Sequence, residues 1–548
     1  MKRMAQTAPS IFARKATGLV REGSASSVLI YNINFVSIGL MLVFALIMIP
    51  AFYPGANVEG TFLASFIVVV PTSLTFALLA AAMPRSGGDY VYVSRILGPQ
   101  WGMMSSLNNT IWWILYGGVP SAFFAYYGLT PLLRGVGVLV NSPTLIRYGN
   151  DLSTPTGAFI IGTLLIVGLV MIFATGLNSY FKIQNALFVI AMIGILVTIG
   201  ILVTTSHSEF MAAFNHYLGR STGHANTYRA VMAAAGHDGF KTAPFSLYWT
   251  LIPITWIYLE LVFNQSSAYI GGEVRRPGRV QLWSMPVAAI VSTGIAMIIA
   301  WQAARVVGSS FLGAVSFNGG AAMGFGSAPV YTELVGYASR NVVLGLIVTF
   351  SFLFWSYSWL PGQILNASRN LLAYGIDGVM PAWLGRVNYK RHTPINALVV
   401  MGIGSIAALW LYTRPTGPFK TLTGIFGFIL SFLMVSLAAM LFPYRQRETW
   451  EASPVNWRWG RMPVITIIGA LSFAACGFMA WDYLSDPLSG LSVLPHNTGG
   501  LFGHQAFAMF ILNIIIWVAG WIVYRVAKVV RRRQGVDLDS TYRELPVE

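Results

Sequence analysis

Stretches of about twenty residues almost free of charge recur along this chain, and that recurrence decides its solvent. They fall at about 27–51, 61–83, 101–130, 155–175, 182–205, 245–271, 281–307, 338–372, 394–413, 419–443, 463–484 and 505–530. Each is close to or above the roughly 20 residues a helix needs to cross a hydrocarbon core. Only 9% of the 548 residues are charged, against roughly 25% in soluble domains. Mean hydropathy is +0.65. The reading is an all-α membrane protein of about twelve transmembrane helices. Pro71, Pro120, Pro253 and Pro361 lie inside runs. A helix in lipid tolerates them where neighbouring helices or water satisfy the freed backbone groups.

The net charge of +16 sits in short segments between the apolar runs, so it reads as topology rather than as a nucleic-acid surface. With Cys476 alone, no intrachain disulfide and no Cys-rich metal set is expected. The basic N-terminal residues Lys2, Arg3, Arg14 and Lys15 are too far from the first run to read as a cleaved signal peptide. Placing both termini in the cytoplasm puts about 25 of the 34 Lys and Arg on that side of a plasma membrane. The expected organisation is a cytoplasmic segment 1–26, a five-helix unit 27–206, an extracellular loop 207–244 and a second five-helix unit 245–443. Two more helices over 444–530 and a cytoplasmic tail 531–548 follow. Polar segments His207 to Lys241 and Gly308 to Glu333 are expected as outer loops covering the mouth. Five being odd, the two units enter the membrane with opposite orientation, so the count allows an inverted repeat.

A solute site in such a bundle belongs near the midplane, where the first helix of each unit is interrupted and bares backbone groups. The first run places Asn32, Asn34, Ser37 and Gly39 in an apolar span. The sixth, at the corresponding position, carries Glu260, Asn264, Gln265, Ser266 and Ser267. Asn, Gln and Ser in membranes commonly bond across to neighbouring helices, but two such clusters at matching positions favour a site. A broken helix offers amides to a carboxylate and carbonyls to an ammonium, which together fit a zwitterionic amino acid. Glu260 is the one acidic residue read as lying well inside a run. An ionised carboxylate there needs a cation or hydrogen bonds, which makes Glu260 the candidate for proton coupling or for reading a substrate cation; a protonated carboxyl bonded to a carbonyl is the alternative. Tyr116, Tyr258 and Trp355, with Trp112, Trp113, Trp256 and Trp359, are candidate gating aromatics, or packing and interface anchors.

Three motifs bring a family into view: MPRSGGDYVYVSRILGP from Met83, GGEVRRPGR from Gly271, and SRNLLAYGIDGVMPAWLGRVNYKRHTPINAL from Ser368. In order and spacing over about the first 400 residues the chain resembles the amino acid–polyamine–organocation (APC) superfamily of permeases. The resemblance implies a five-plus-five inverted repeat with two additional C-terminal helices, alternating access, and substrate held at the interruptions. These fall near Ser37, Ile38 and Gly39, and at Phe263, Asn264 and Gln265. The chain departs from the family pattern in lacking the full Gly-rich string in the first helix, in having Gln265 where Glu is common, and in lacking a lysine inside the fifth helix beyond Lys182. The coupling ion is thus left open between H+ through Glu260, Na+ helped by Ser351, Ser356 and Ser358, and exchange without an ion.

All seven histidines fall in loops or at helix edges, so no buried triad or zinc set is available and an enzyme is not expected. No charged rings or repeated filter suggest a channel. The expectation is a secondary transporter of amino acids with no cofactor. A polyamine or organic-cation permease is the alternative, and a membrane solute sensor the different class.

Overall fold

The computed structural model describes residues 18–414, 423–489, 504–539 and 542. Among them, eleven helices are long and apolar enough to cross a membrane. The spans are α1 (Ala25–Val36 and Ile38–Phe52), α2 (Val58–Ala82), α3 (Pro99–Leu139), α4 (Pro155–Ala174) and α5 (Leu177–Thr204). A broken sixth segment α6 (247–273) follows, then α7 (Pro277–Phe317), α8 (Val342–Ile376), α9 (Ile395–Tyr412), α10 (Thr423–Arg445), α11 (Val464–Ser485) and α12 (His504–Arg533). Helix starts follow local chemistry. Pro99, Pro155 and Pro277 open α3, α4 and α7, where the missing N–H would be unpaired anyway. Ser24 and Asn57 cap α1 and α2 with their side-chain oxygens.

α6 is not one helix. It comprises Leu247–Leu251, Ile254–Leu261 and the tighter 3₁₀ stretches Val262–Tyr269 and Gly271–Glu273. Pro253, without a donor, separates the first two pieces. The first-run interruption is a single residue: Ser37 sits at φ 49°, ψ 74°, the left-handed region.

α1 is the most enclosed span, with 78% of its most apolar stretch buried, whereas α4, α11 and α12 bury 28% and give the rest to lipid. α1 packs on α6, α2 on α7, α3 on α8 and α4 on α9, so each of the first four spans meets the one five places later. Gly39 lets α1 and α8 touch: a Cβ there would stand 2.5 Å from Trp355 Cβ. Gly18 bonds His392, and Tyr542 bonds Tyr90, which brings the two ends of the described chain to one face of the bundle.

The segments expected as outer loops are largely helical. His207–Thr222, Thr227–His237 and the end of α7 over Ser309–Phe317 form short helices. A Ser206–Glu209 capping box starts the first, and Gly223 in the left-handed region ends it, so local caps overrode the polar composition.

Glu209 is held to about 2 from its ordinary 4.5, first by the Ser206 backbone N–H and then by Arg340 and the Ser206 hydroxyl. A depressed carboxyl contributes stability that is complete above its unfolded pKa and lost as pH falls through the folded one. Amide protection over 207–222, taken relative to the intrinsic exchange rate at each pH, is therefore expected to fall between about pH 4.5 and 2, and Glu209→Gln is expected to show that lower protection, as faster exchange, already at neutral pH. Unchanged exchange in the variant contradicts the cap.

Candidate functional site

The two interruptions meet. Asn32, in the half of α1 before Ser37, accepts from the Ser267 backbone N–H at 3.0 Å and donates to the Ser267 hydroxyl at 3.0 Å. Ser267 in turn donates to Gln281 of α7 at 2.6 Å, and Gln281 donates back to the Ser267 carbonyl at 2.8 Å. On the other side, Tyr31 donates to Asn366 of α8 at 3.3 Å, and Asn366 donates to the Ser266 hydroxyl at 3.3 Å. All six residues are buried. These polar side chains occupy the chain's own interruptions, where backbone groups need partners that lipid cannot provide.

Ser37 leaves the ladder at Val36, so the first amides of the following half-helix, from Ile38 and Gly39 onward, have no carbonyl one turn back. The Ser37 hydroxyl donates to the Trp355 carbonyl at 2.8 Å, and Ser358 donates to that carbonyl at 3.0 Å. Asn34 faces a narrow cleft shared with Tyr180, Gln184 and Ser358. Ser37, Asn34 and Ser358 thus form one corner between α1 and α8. Ser356 is not in it: its hydroxyl donates to the Leu353 carbonyl and packs on Gly128 of α3. Ser351 is likewise turned away, toward Gly194 of α5.

Phe263 stacks on Phe35 at 5.2 Å and meets Trp113 at 5.1 Å, Phe428 at 5.3 Å and Trp359 at 5.5 Å. Tyr116 closes this aromatic set edge-on to Trp359 at 5.5 Å. Trp355 contributes its backbone, as above, and its ring meets Phe188 of α5. Tyr258 lies apart from that set, within electrostatic reach of Cys476 of α11. Within α6, Asn264 is used locally, donating to the Leu261 carbonyl at 2.8 Å and accepting from Ser73 of α2 at 2.5 Å. Gln265 and Glu260 are different: both are buried, and among the described residues no polar atom of either side chain has a hydrogen-bond partner. Glu260 lies within electrostatic reach of Tyr116.

Glu260 is not the sole buried carboxylate in a span. Asp482, in the last turn of α11, is equally buried, with neither oxygen bonded among the described residues, and Asp486 one turn on accepts from Tyr53 at 2.7 Å and Thr255 at 2.5 Å. Position near the run's end hid it from sequence reading. Three buried ion pairs were also missed. Arg369 holds Glu273 bidentately at 2.8 and 2.9 Å, Arg134 holds Glu333 at 2.7 and 2.8 Å, and Arg95 meets Asp377 at 2.7 Å. Glu273, Arg95, Arg369 and Asp377 are residues of the three motifs, so the signal was present; its pairing was not.

The sequence profile of the amino acid permease family matches residues 31–519. The chain belongs to that family, within the APC superfamily. It is similar to the branched-chain amino acid permease BcaP of Lactococcus lactis subsp. cremoris, with 24% identity over 436 residues, 79% of this chain and 83% of that one. This permease is therefore a multi-pass transporter, not an enzyme.

Removing one partner of a buried pair strands the other charge. Glu273→Gln is expected to lower stability by about 3–5 kcal/mol, read as a fall in the thermal midpoint of the detergent-solubilised permease. Exchanging the two, Glu273→Arg with Arg369→Glu, is expected to recover part of the loss. An unchanged midpoint for Glu273→Gln contradicts the pairing.

Proposed function

We propose that this permease carries amino acids with apolar side chains across the plasma membrane by alternating access, binding them between the interruptions of α1 and α6. The observation that carries the reading is their juxtaposition through Asn32 and Ser267. Free amides after Ser37 suit the substrate carboxylate, and the carbonyls at the end of the preceding half-helix suit its ammonium. Phe35, Trp113, Phe263 and Trp359 border this place with rings, which favours an apolar side chain over a polyamine. The likeness to a permease for branched-chain amino acids supports the same class. The packing of α1 on α6, α2 on α7, α3 on α8 and α4 on α9 supports the inverted repeat. The basic loops support a cytoplasmic placement of the face that gathers both ends of the described chain.

For coupling, Glu260 is the proton candidate, because an ionised carboxylate without partners is costly in a low-dielectric interior and a moving proton relieves that cost. The corner of Ser37, Asn34 and Ser358 is the sodium candidate, with oxygen ligands from both helices.

In proteoliposomes, labelled leucine is expected to accumulate under an imposed proton or sodium gradient. Proton-driven uptake abolished in Glu260→Gln assigns coupling to that carboxyl. Sodium-driven uptake that survives Glu260→Gln and falls in Ser37→Ala/Ser358→Ala assigns it to the corner. Failure of every amino acid to enter or exchange, with polyamines entering instead, contradicts the substrate class.

A further inference from the structure

Where α12 leaves the membrane, its outer face and the loop after α8 enclose an open groove of about 640 Å³. Its walls are apolar, with Val379 and Met380 from the loop and Ile522, Val526 and Val530 from α12; Arg531 stands at its rim. The three α12 side chains are 46–56% exposed. They lie in the last turns of a span otherwise facing lipid, so hydrocarbon is the medium that reaches them. Above them basic residues outnumber the acidic Asp537 and Asp539. Arg525 covers Trp521 at 5.4 Å, a pairing suited to the membrane interface, and Arg531, Arg532 and Arg533 end the helix. Lys528 is engaged by Asp539, and Arg531 donates one N–H to the Gly378 carbonyl at 2.7 Å, but Arg532 and Arg533 are exposed, and among the described residues no ion pair holds either.

We propose that this groove binds one anionic glycerophospholipid, an acyl chain lying along Val526 and Val530 and the phosphate beside Arg531 at the rim, with Arg532 and Arg533 adding positive charge at the same level of the membrane surface. Apolar walls below a cluster of cations match a molecule with an apolar tail and an anionic head. Clustered basic residues at a membrane surface attract such lipids. A second copy of the chain fits less well, because a two-fold interface through this face sets the arginine cluster against itself. The lipid would also touch the transport machinery. The groove wall begins at Gly378, directly after Asp377, whose carboxylate pairs with Arg95 beside the α2–α3 loop. Occupancy ties α12 to that buried pair.

The test is native mass spectrometry of the delipidated permease with added phosphatidylglycerol or phosphatidylcholine of matched chains, alongside its thermal midpoint. One phosphatidylglycerol is expected to be retained preferentially and to raise the midpoint. Each basic residue near the surface contributes about fivefold in affinity, so Arg532→Gln/Arg533→Gln is expected to reduce the preference roughly tenfold or more. Val526→Trp, which fills the groove without altering charge, is expected to reduce retention of both lipids. Equal retention of the two lipids by the unaltered protein overturns the proposal, as does a preference undiminished in the double arginine variant. So does the same stabilisation by sn-glycerol 3-phosphate, a head without chains, and so does a dimer that Val526→Trp disrupts.

Discussion

Asn32 bonding to Ser267 is the contact on which the centre of this permease depends. A polypeptide in hydrocarbon must satisfy its backbone groups within itself, so an interrupted helix can exist only beside something that supplies partners. Here each interruption is placed beside the other. The Asn32 amide takes the Ser267 N–H and gives to its hydroxyl, Gln281 completes the ring, and Asn366 holds Ser266 from the other side. This accounts for the enclosure of α1 and for the buried polar residues Gln281 of α7 and Asn366 of α8 beside the interruptions.

The same economy of polar groups orders the periphery of the centre. Arg369 with Glu273, Arg134 with Glu333 and Arg95 with Asp377 each satisfy two charges that could not be buried singly. Such pairs are directional and hold only in one arrangement of helices. A bundle that rocks between two states would have to break or preserve each as a unit, which makes them natural markers of which elements move together. Glu260 and Gln265 contrast with these pairs, since among the described residues their buried side chains, like those of Asp482 and Gln363, have no hydrogen-bond partner.

Much of the architecture was legible in the sequence because lipid imposes a single length scale. Runs near 20 residues pointed to the eleven apolar spans among the described residues, and the three motifs pointed to the family. Breaks were legible in place but not in form. Ser37 carries the whole turn in α1 through one left-handed residue, where a Gly-rich string is the family habit, and α6 tightens into a 3₁₀ helix instead of unwinding. Neither outcome follows from composition, because both depend on side chains of neighbouring helices, Gln281 of α7 and Asn366 and Trp355 of α8, that only the fold brings together. Ser356 illustrates the limit of spacing: it lies two residues from Ser358, yet on a helix that angle turns it toward Gly128 and away from Ser37. The helical covers over 207–237 were hidden because their polarity masked strong local caps. Asp482 was hidden by its place at the end of a run.

Substrate, on the proposed function, occupies the space between Ser37 and the 3₁₀ stretch of α6. The most direct test of that placement is thiol protection at Ser266, using Ser266→Cys in a Cys476→Ser background that removes the native thiol. Labelling of that cysteine by a small membrane-permeant thiol reagent, followed with and without saturating leucine, is predicted to slow several-fold when leucine is present and to be unaffected by a polyamine. Labelling at an unchanged rate, in a variant that still transports leucine, would place the substrate elsewhere and contradict the account.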